Sequence, residues 1–185
     1  MNEVFEEAAA RVVAWAAGRP ARAGSRRVLA VEGRSGAGKT TLARAVAARL
    51  GAPLIHMDDL YAGWDGLQQG VTALHDWVLV PLAEDRPAVW RRWDWAAGAY
   101  AEEHPVPDAA WLVVEGVGAG GRVLRPYICG LIWVDSPTVI RKRRALDRDG
   151  QTYAPHWARW ARHEDAFYAA EQVRENADLI IENAP

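Results

Sequence analysis

Residues 33–41, GRSGAGKTT, crowd three glycines and Ala37 into six positions and then place a lysine and two threonines. Gly33, Gly38, Lys39 and Thr40 meet the spacing G-x-x-x-x-G-K-[ST] of a loop that cradles phosphates. Glycines let a backbone curl until successive N–H groups point inward. The start of the following helix adds its dipole and its unpaired amides. The cradle therefore comprises Gly33, Ser35, Gly36, Ala37, Gly38, Lys39, Thr40 and Thr41. The chain has twenty arginines and only two lysines, Lys39 and Lys142. A lysine at position 39 supplies a compact charge on a long stem, able to reach β- and γ-phosphates where arginine's planar fork does not fit. Thr40 offers a hydroxyl to magnesium, so the expected cofactors are ATP and Mg2+.

Carboxylates follow two apolar runs. Asp58 and Asp59 come directly after PLIHM, 53–57, and Glu115 ends WLVVE, 111–115. A carboxylate in such a position can take the proton of an attacking hydroxyl or hold metal-bound water. The alternative for the aspartates is a turn or a helix cap. Glu115 fits a magnesium ligand, or a strand-end charge in solvent. Arg141, Arg144 and Arg148 recur at i, i+3 and i+7 on one helical face. They form either a solvated face or a segment that closes on ATP and covers the charge of the transferring phosphoryl group. WRRWDWAAGAY, 90–100, sets three tryptophans around Asp94. It reads as an aromatic strand on the core, or as aromatic walls and one buried acid that hold a planar or ring-shaped substrate, with Trp64 contributing. The five histidines show no metal-ligand spacing. Cys129, the single cysteine, reads as a small core residue.

These residues need a frame. VLAVEG (28–33), PLIHM (53–57), WLVVEG (111–116), LIWVD (131–135) and DLIIEN (178–183) read as strands. Between them, Leu42, Val46 and Leu50 mark one helix, and Leu67, Val71, Leu74 and Val78 another that stops near Pro81. Ser136 as cap and Pro137 at the first helical position open an arginine-rich helix, which DRDG, 147–150, ends at a hinge. Trp157, Trp160, Glu164 and Tyr168 lie along one side of a further helix. Residues 98–110 read as a loop, and 3–17 as a helix with Val4, Ala8, Val12 and Trp15 on its stripe. Strands alternating with helices imply a mainly parallel sheet with ligands at the strands' carboxyl ends.

At 185 residues and net charge −2, the chain fits one domain, 1–185, and not a nucleic-acid binder that relies on bulk positive charge. The start, MNEVFEEAAA, lacks a signal peptide's basic region, and no apolar run reaches a membrane span of about 18 residues. The expectation is a soluble, cytoplasmic protein without a membrane partner.

Taken together, 28–183 resemble the uridine kinase-like branch of the P-loop kinases. GRSGAGKT resembles that family's GxSGSGKT, and Asp58-Asp59-Leu60-Tyr61 its D-S-F-Y motif. Trp93-Asp94-Trp95 resembles its tyrosine-aspartate-phenylalanine segment, Glu115-Gly116 its E-G, and Arg141, Arg144, Arg148 and Asp149 its lid. The resemblance implies a three-layer α/β/α P-loop fold with a five-stranded, mainly parallel sheet and a lid near 138–156. It implies Lys39, Asp58, Arg144 and Arg148 as catalytic, with Asp58 rather than Asp59 as the base. Thr40, Glu115 and Asp58 would serve magnesium. Asp58, Tyr61, Trp64, Trp93, Asp94 and Arg141 would serve a small-molecule hydroxyl acceptor. The family's histidine near the nucleoside base has no counterpart in Ala96-Ala97-Gly98, which implies that uridine is a poor acceptor. The alternatives are a nucleoside monophosphate kinase and a nucleotide-binding regulatory ATPase with no acceptor; no N-K-x-D motif marks the latter.

Overall fold

The computed structural model describes residues 3–183; the side chains of residues 3, 148, 149, 151 and 152 lie outside the described residues. A first helix, α1 (Glu3–Ala16), precedes β1 (Arg27–Glu32), and α2 (Lys39–Leu50) leads to the short β2 (Leu54–His56). Next come α3 (Leu67–Ala73), a π-helical stretch over Leu74–Leu79 and α4 (Val80–Ala83). Two strands follow, β3 (Val89–Asp94) and β4 (Ala99–Pro105), and then β5 (Trp111–Glu115) and β6 (Gly130–Asp135). The chain closes with α5 (Thr138–Tyr153), α6 (Trp157–Glu171) and β7 (Leu179–Glu182).

The five apolar runs expected to be strands pair into one sheet, ordered β2-β5-β1-β6-β7, with every pairing parallel. Such a sheet is covered on both faces, so its strands read as continuous apolar runs. Alternation sends their side chains two ways. Leu29, Val31, Val113, Ile132 and Val134 meet α1 and α2 on one face. Val28, Ala30, Leu112, Val114 and Trp133 meet α3, α6 and the π-helical stretch on the other. The three-layer α/β/α architecture is the expected one. Each buried valine or leucine contributes roughly 1.5–3 kcal/mol, so the sheet holds its carboxyl ends in fixed relative positions. Among the described residues no helix is long and apolar enough to cross a membrane. Cys129 is buried beside β6, as expected.

Several local expectations differ. Residues 99–105 are not loop but β4, paired antiparallel with β3 in a separate two-stranded sheet. Glu102, Glu103 and His104 hide that strand because its partners are side chains rather than a core: Trp90 stacks on His104 at 4.6 Å, and Arg92 pairs with Glu102. The helical run does not stop near Pro81 but continues to Ala83. Pro81 falls in the first turn of α4, where its missing N–H is tolerated. Pro137 sits outside α5 with an extended ψ of 140°, and Ser136 caps nothing; its hydroxyl accepts instead from Arg144. On α1 the buried stripe is Phe5, Ala8, Ala9, Val12 and Ala16, whereas Val4 is exposed. Gly150, at φ 52° and ψ −132°, breaks α5 at the hinge that DRDG suggested.

Candidate active site

The phosphate-type loop leaves the carboxyl end of β1 and enters α2. Gly36 has φ 77°, and a Cβ there would lie 2.1 Å from the Arg141 carbonyl oxygen. Gly33 has φ 140°, and a Cβ there would lie 2.3 Å from the Val134 carbonyl oxygen. Both positions require glycine twice over, through conformation and through close approach to α5 and β6. The amides of Gly38, Lys39, Thr40 and Thr41 have no acceptor among the described residues. Four consecutive free amides at a helix start form an anion nest. Lys39 is buried and donates to the Arg34 carbonyl at 3.1 Å, so its ammonium already lies within the loop.

Thr40 Oγ1 donates to Glu115 Oε1 at 2.9 Å, and His56 Nδ1 lies 2.6 Å from the same oxygen. Burial alone would raise the Glu115 carboxyl. The His56 hydrogen bond, the Lys39 charge and the Thr40 hydroxyl outweigh burial and hold it below its ordinary value. The same hydrogen bond raises His56. Among the described residues no group of three or more His, Cys, Asp or Glu side chains could hold a metal alone. A threonine hydroxyl and one carboxylate are hard oxygen donors. They fit magnesium, which keeps much of its shell for water and phosphate.

Asp58 and Asp59 share one turn of 3-10 helix after β2, and His56 stands in register with Glu115. Asp58 is exposed at this rim. Asp59 is half-buried, and burial raises its carboxyl while the His56 and Arg92 charges pull it down. Trp95, from the β3–β4 turn, donates its indole N–H to the Asp58 carbonyl at 3.0 Å, which brings the hairpin tip to the same rim.

Of the other expected substrate residues, Tyr61, Asp94 and Arg141 make structural hydrogen bonds, and Trp64 and Trp93 lie in ring contacts. Tyr61 is buried; its hydroxyl donates to the Val117 carbonyl at 2.6 Å and its ring packs on Trp160, so it supports the rim from beneath. Asp94 is not a buried acid: its Oδ1 accepts from the amides of Ala96 and Ala97, each at 2.9 Å, and shapes the hairpin turn. Those amides, Ala97 first, lower its carboxyl. Arg141 is buried, and its guanidinium donates to the carbonyls of Ser136 and Ser35 and to the Thr138 hydroxyl. Its hydrogen bonds join α5 to the loop and leave its side chain out of solvent. Trp64 stacks on His156 at 4.3 Å and on Tyr153 at 5.4 Å, and tilts against Trp95 at 4.9 Å. Trp93 packs edge-on against Tyr100. Arg144 is half-buried on α5, while the Arg148 side chain lies outside the described residues.

Three residues escaped sequence reasoning: His56, Glu164 and Glu32. Glu32, at the end of β1, is fully buried. Its carboxylate accepts from the amides of Gly33, Gly118 and Gly120 and from the Tyr168 hydroxyl. An acidic residue closing an apolar strand was the available signal. Burial pushes its carboxyl up to about 7, against those donors and the Lys39 charge. Between its ordinary 4.5 and about 7 the native chain keeps a proton that the unfolded chain has lost. Stability from this group therefore falls as pH rises through that window. Urea unfolding of the wild type and Glu32→Gln at several pH values is expected to show the wild type losing ground relative to the variant as pH rises. The opposite trend would contradict the assignment.

No family model matches the chain. It is similar to the cytidylate kinase of Pyrobaculum arsenaticum, at 32% identity over 125 residues; the match spans 68% of this chain but only 62% of that relative. Among solved structures it resembles a protein described as a possible uridine kinase from Bacillus stearothermophilus, with TM-score 0.68, 20% identity and 97% of each chain covered. It also resembles a Silicibacter protein described provisionally as a fructose transport system kinase, with TM-score 0.54, 21% identity, and 91% and 98% of the two chains covered.

Proposed function

We propose, for a chain whose fold is that of the P-loop kinases, an ATP- and magnesium-dependent phosphotransferase acting on a hydroxyl of a small neutral molecule. One observation carries this reading. The amide nest, the Thr40–Glu115 pair and Asp58 stand at the carboxyl ends of the adjacent strands β1, β5 and β2. Ligands of open parallel sheets bind there. Lys39 and the amides of residues 38–41 bind the β- and γ-phosphates. Thr40 and Glu115 hold magnesium, which neutralises phosphate charge when bound. Asp58 accepts the acceptor's proton, and Arg144 and Arg148 cover the transferring group. Trp93, Trp95 and Trp64 form the acceptor's aromatic side. The enzyme works as one cytoplasmic domain without nucleic acid or membrane.

The neutral acceptor follows from charge. A phosphate acceptor, with a second pKa of about 6, is already ionised and needs arginines rather than a base. Arg92, whose charge acts on Asp59, is committed to Glu102 and Asp94. Incubation with ATP, magnesium and a panel of nucleosides, sugars, vitamins and nucleoside monophosphates is expected to phosphorylate a hydroxyl compound in preference to CMP or UMP. The readout is a mass gain of one phosphate. The similarity to a cytidylate kinase favours the second reading, a nucleoside monophosphate kinase. Efficient phosphorylation of CMP or UMP, lost on mutating Arg91 or Arg92, would establish it. ATP hydrolysis that no acceptor accelerates would favour a regulatory ATPase.

A further inference from the structure

The first half of the loop is fastened to one face of α6. Glu164 is buried, with 2% of its side chain exposed, and its Oε1 accepts from the Ser35 amide at 2.8 Å. Its Oε2 lies 3.6 Å from Arg34 NH1. The same nitrogen donates to Asp165 at 2.6 Å, and the Arg34 guanidinium lies over the Tyr168 ring at 5.2 Å. The Tyr168 hydroxyl reaches Glu32, whose other partners include the Gly33 amide. Three successive loop residues, 33 to 35, are thus tied to positions 164, 165 and 168, which share one side of a helix. At the next peptide, Ser35–Gly36, Arg141 donates to the Ser35 carbonyl at 3.1 Å. The amides of residues 38–41 carry no such ties.

We propose that Glu164 is a positioning residue for the phosphate cradle: it fixes the Ser35 N–H from α6 while Arg141 fixes the Ser35 carbonyl from α5, so that the two consecutive peptides are held and the free amides beyond them are set before nucleotide arrives. Glu164 does not touch the nucleotide and acts through Ser35. This rests on the nucleotide-binding reading above. A loop ordered beforehand binds more tightly because its backbone entropy is already spent. The carboxylate matters here as an acceptor at the right reach, not as a charge. A glutamine oxygen can replace it, and a shorter aspartate cannot.

The test is calorimetric titration of the full chain with ATP and magnesium, for the wild type, Glu164→Ala, Glu164→Asp and Glu164→Gln, with circular dichroism to confirm folding. Glu164→Ala and Glu164→Asp are expected to bind about tenfold more weakly, and Glu164→Gln within about twofold of the wild type. Should Glu164→Ala not fold, the aspartate and glutamine variants decide between reach and charge. Affinity kept by Asp and lost by Gln would overturn the proposal. So would unchanged binding in Ala, or tighter binding, which would make Glu164 a gate instead. A wild type that fails to bind ATP would sink the functional reading and this inference together. Normal wild-type binding with an unaffected Glu164→Ala would sink this inference alone.

Discussion

Lys39→Ala is expected to lower phosphoryl-transfer turnover by at least about 10²–10³-fold, the usual loss when one preorganised charge donor is removed from a transition state. Lys39→Arg is expected to lose nearly as much. The structure gives the reason. Lys39 is buried among loop residues, with its ammonium 3.1 Å from the Arg34 carbonyl. A guanidinium is wider, planar and carries five donors in a fixed fork, so it cannot sit in that space and still turn toward phosphate. Charge is preserved and geometry is not. Steady-state turnover with MgATP checks this, alongside melting curves to confirm folding. Near-normal turnover in Lys39→Arg would show that a positive charge suffices, and the loop's use of one of only two lysines would need another explanation.

Asp58→Asn is expected to lower kcat by about 10²–10⁴-fold while ATP affinity stays nearly unchanged, because a general base contributes in the transition state rather than in nucleotide binding. Asp59→Asn is expected to cost much less. The two differ in setting. Asp58 is exposed at the rim that the hairpin tip reaches, whereas Asp59 is half-buried with the His56 and Arg92 charges acting on it. Comparing kcat and ATP dissociation constants for both variants separates the roles. Equal losses, or a larger loss at Asp59, would move the base one residue along.

What sequence made legible was local. Gly33, Gly38, Lys39 and Thr40 announce the cradle by a local spacing, and the sheet strands are visible as apolar runs, fully so in the central β1, β5 and β6, where burial on both faces leaves nearly every residue covered. Glu115 stands out in the sequence because it ends an apolar strand. The residues that hold the site together were not found, because their partners are remote. Glu32 meets Tyr168 across 136 positions, and Ser35 meets Glu164 across 129. No spacing rule spans such distances. Asp94 and Tyr61 show the reverse: each has a structural partner that spacing could not reveal. A carboxylate among tryptophans and a tyrosine near aspartates suggest contact with a substrate, yet one shapes a turn and the other lies beneath the rim. β4, the hairpin's second strand, stayed hidden because Ala-Tyr-Ala-Glu-Glu-His-Pro shows no apolar alternation, and its pairing with β3 shifts register between Arg91 and Trp93.

That hairpin shares no hydrogen-bonded strand with the five-stranded sheet. It meets the rim through the Trp95 indole on the Asp58 carbonyl and the Tyr100 hydroxyl on the Leu60 carbonyl, and through ring contacts of Trp95 with Trp64 and of Tyr100 with Trp77. Its residues are mostly exposed or half-exposed, with Trp90 packed against the larger core. The loop, the Thr40–Glu115 pair and buried Glu32 and Glu164, by contrast, are tied to the sheet and to α6. Under the proposed function, the piece that would meet the acceptor and the piece that would meet phosphate are thus separate units of hydrogen-bonded structure, so substitutions at the hairpin tip would be expected to change acceptor choice while leaving the loop's backbone geometry in place.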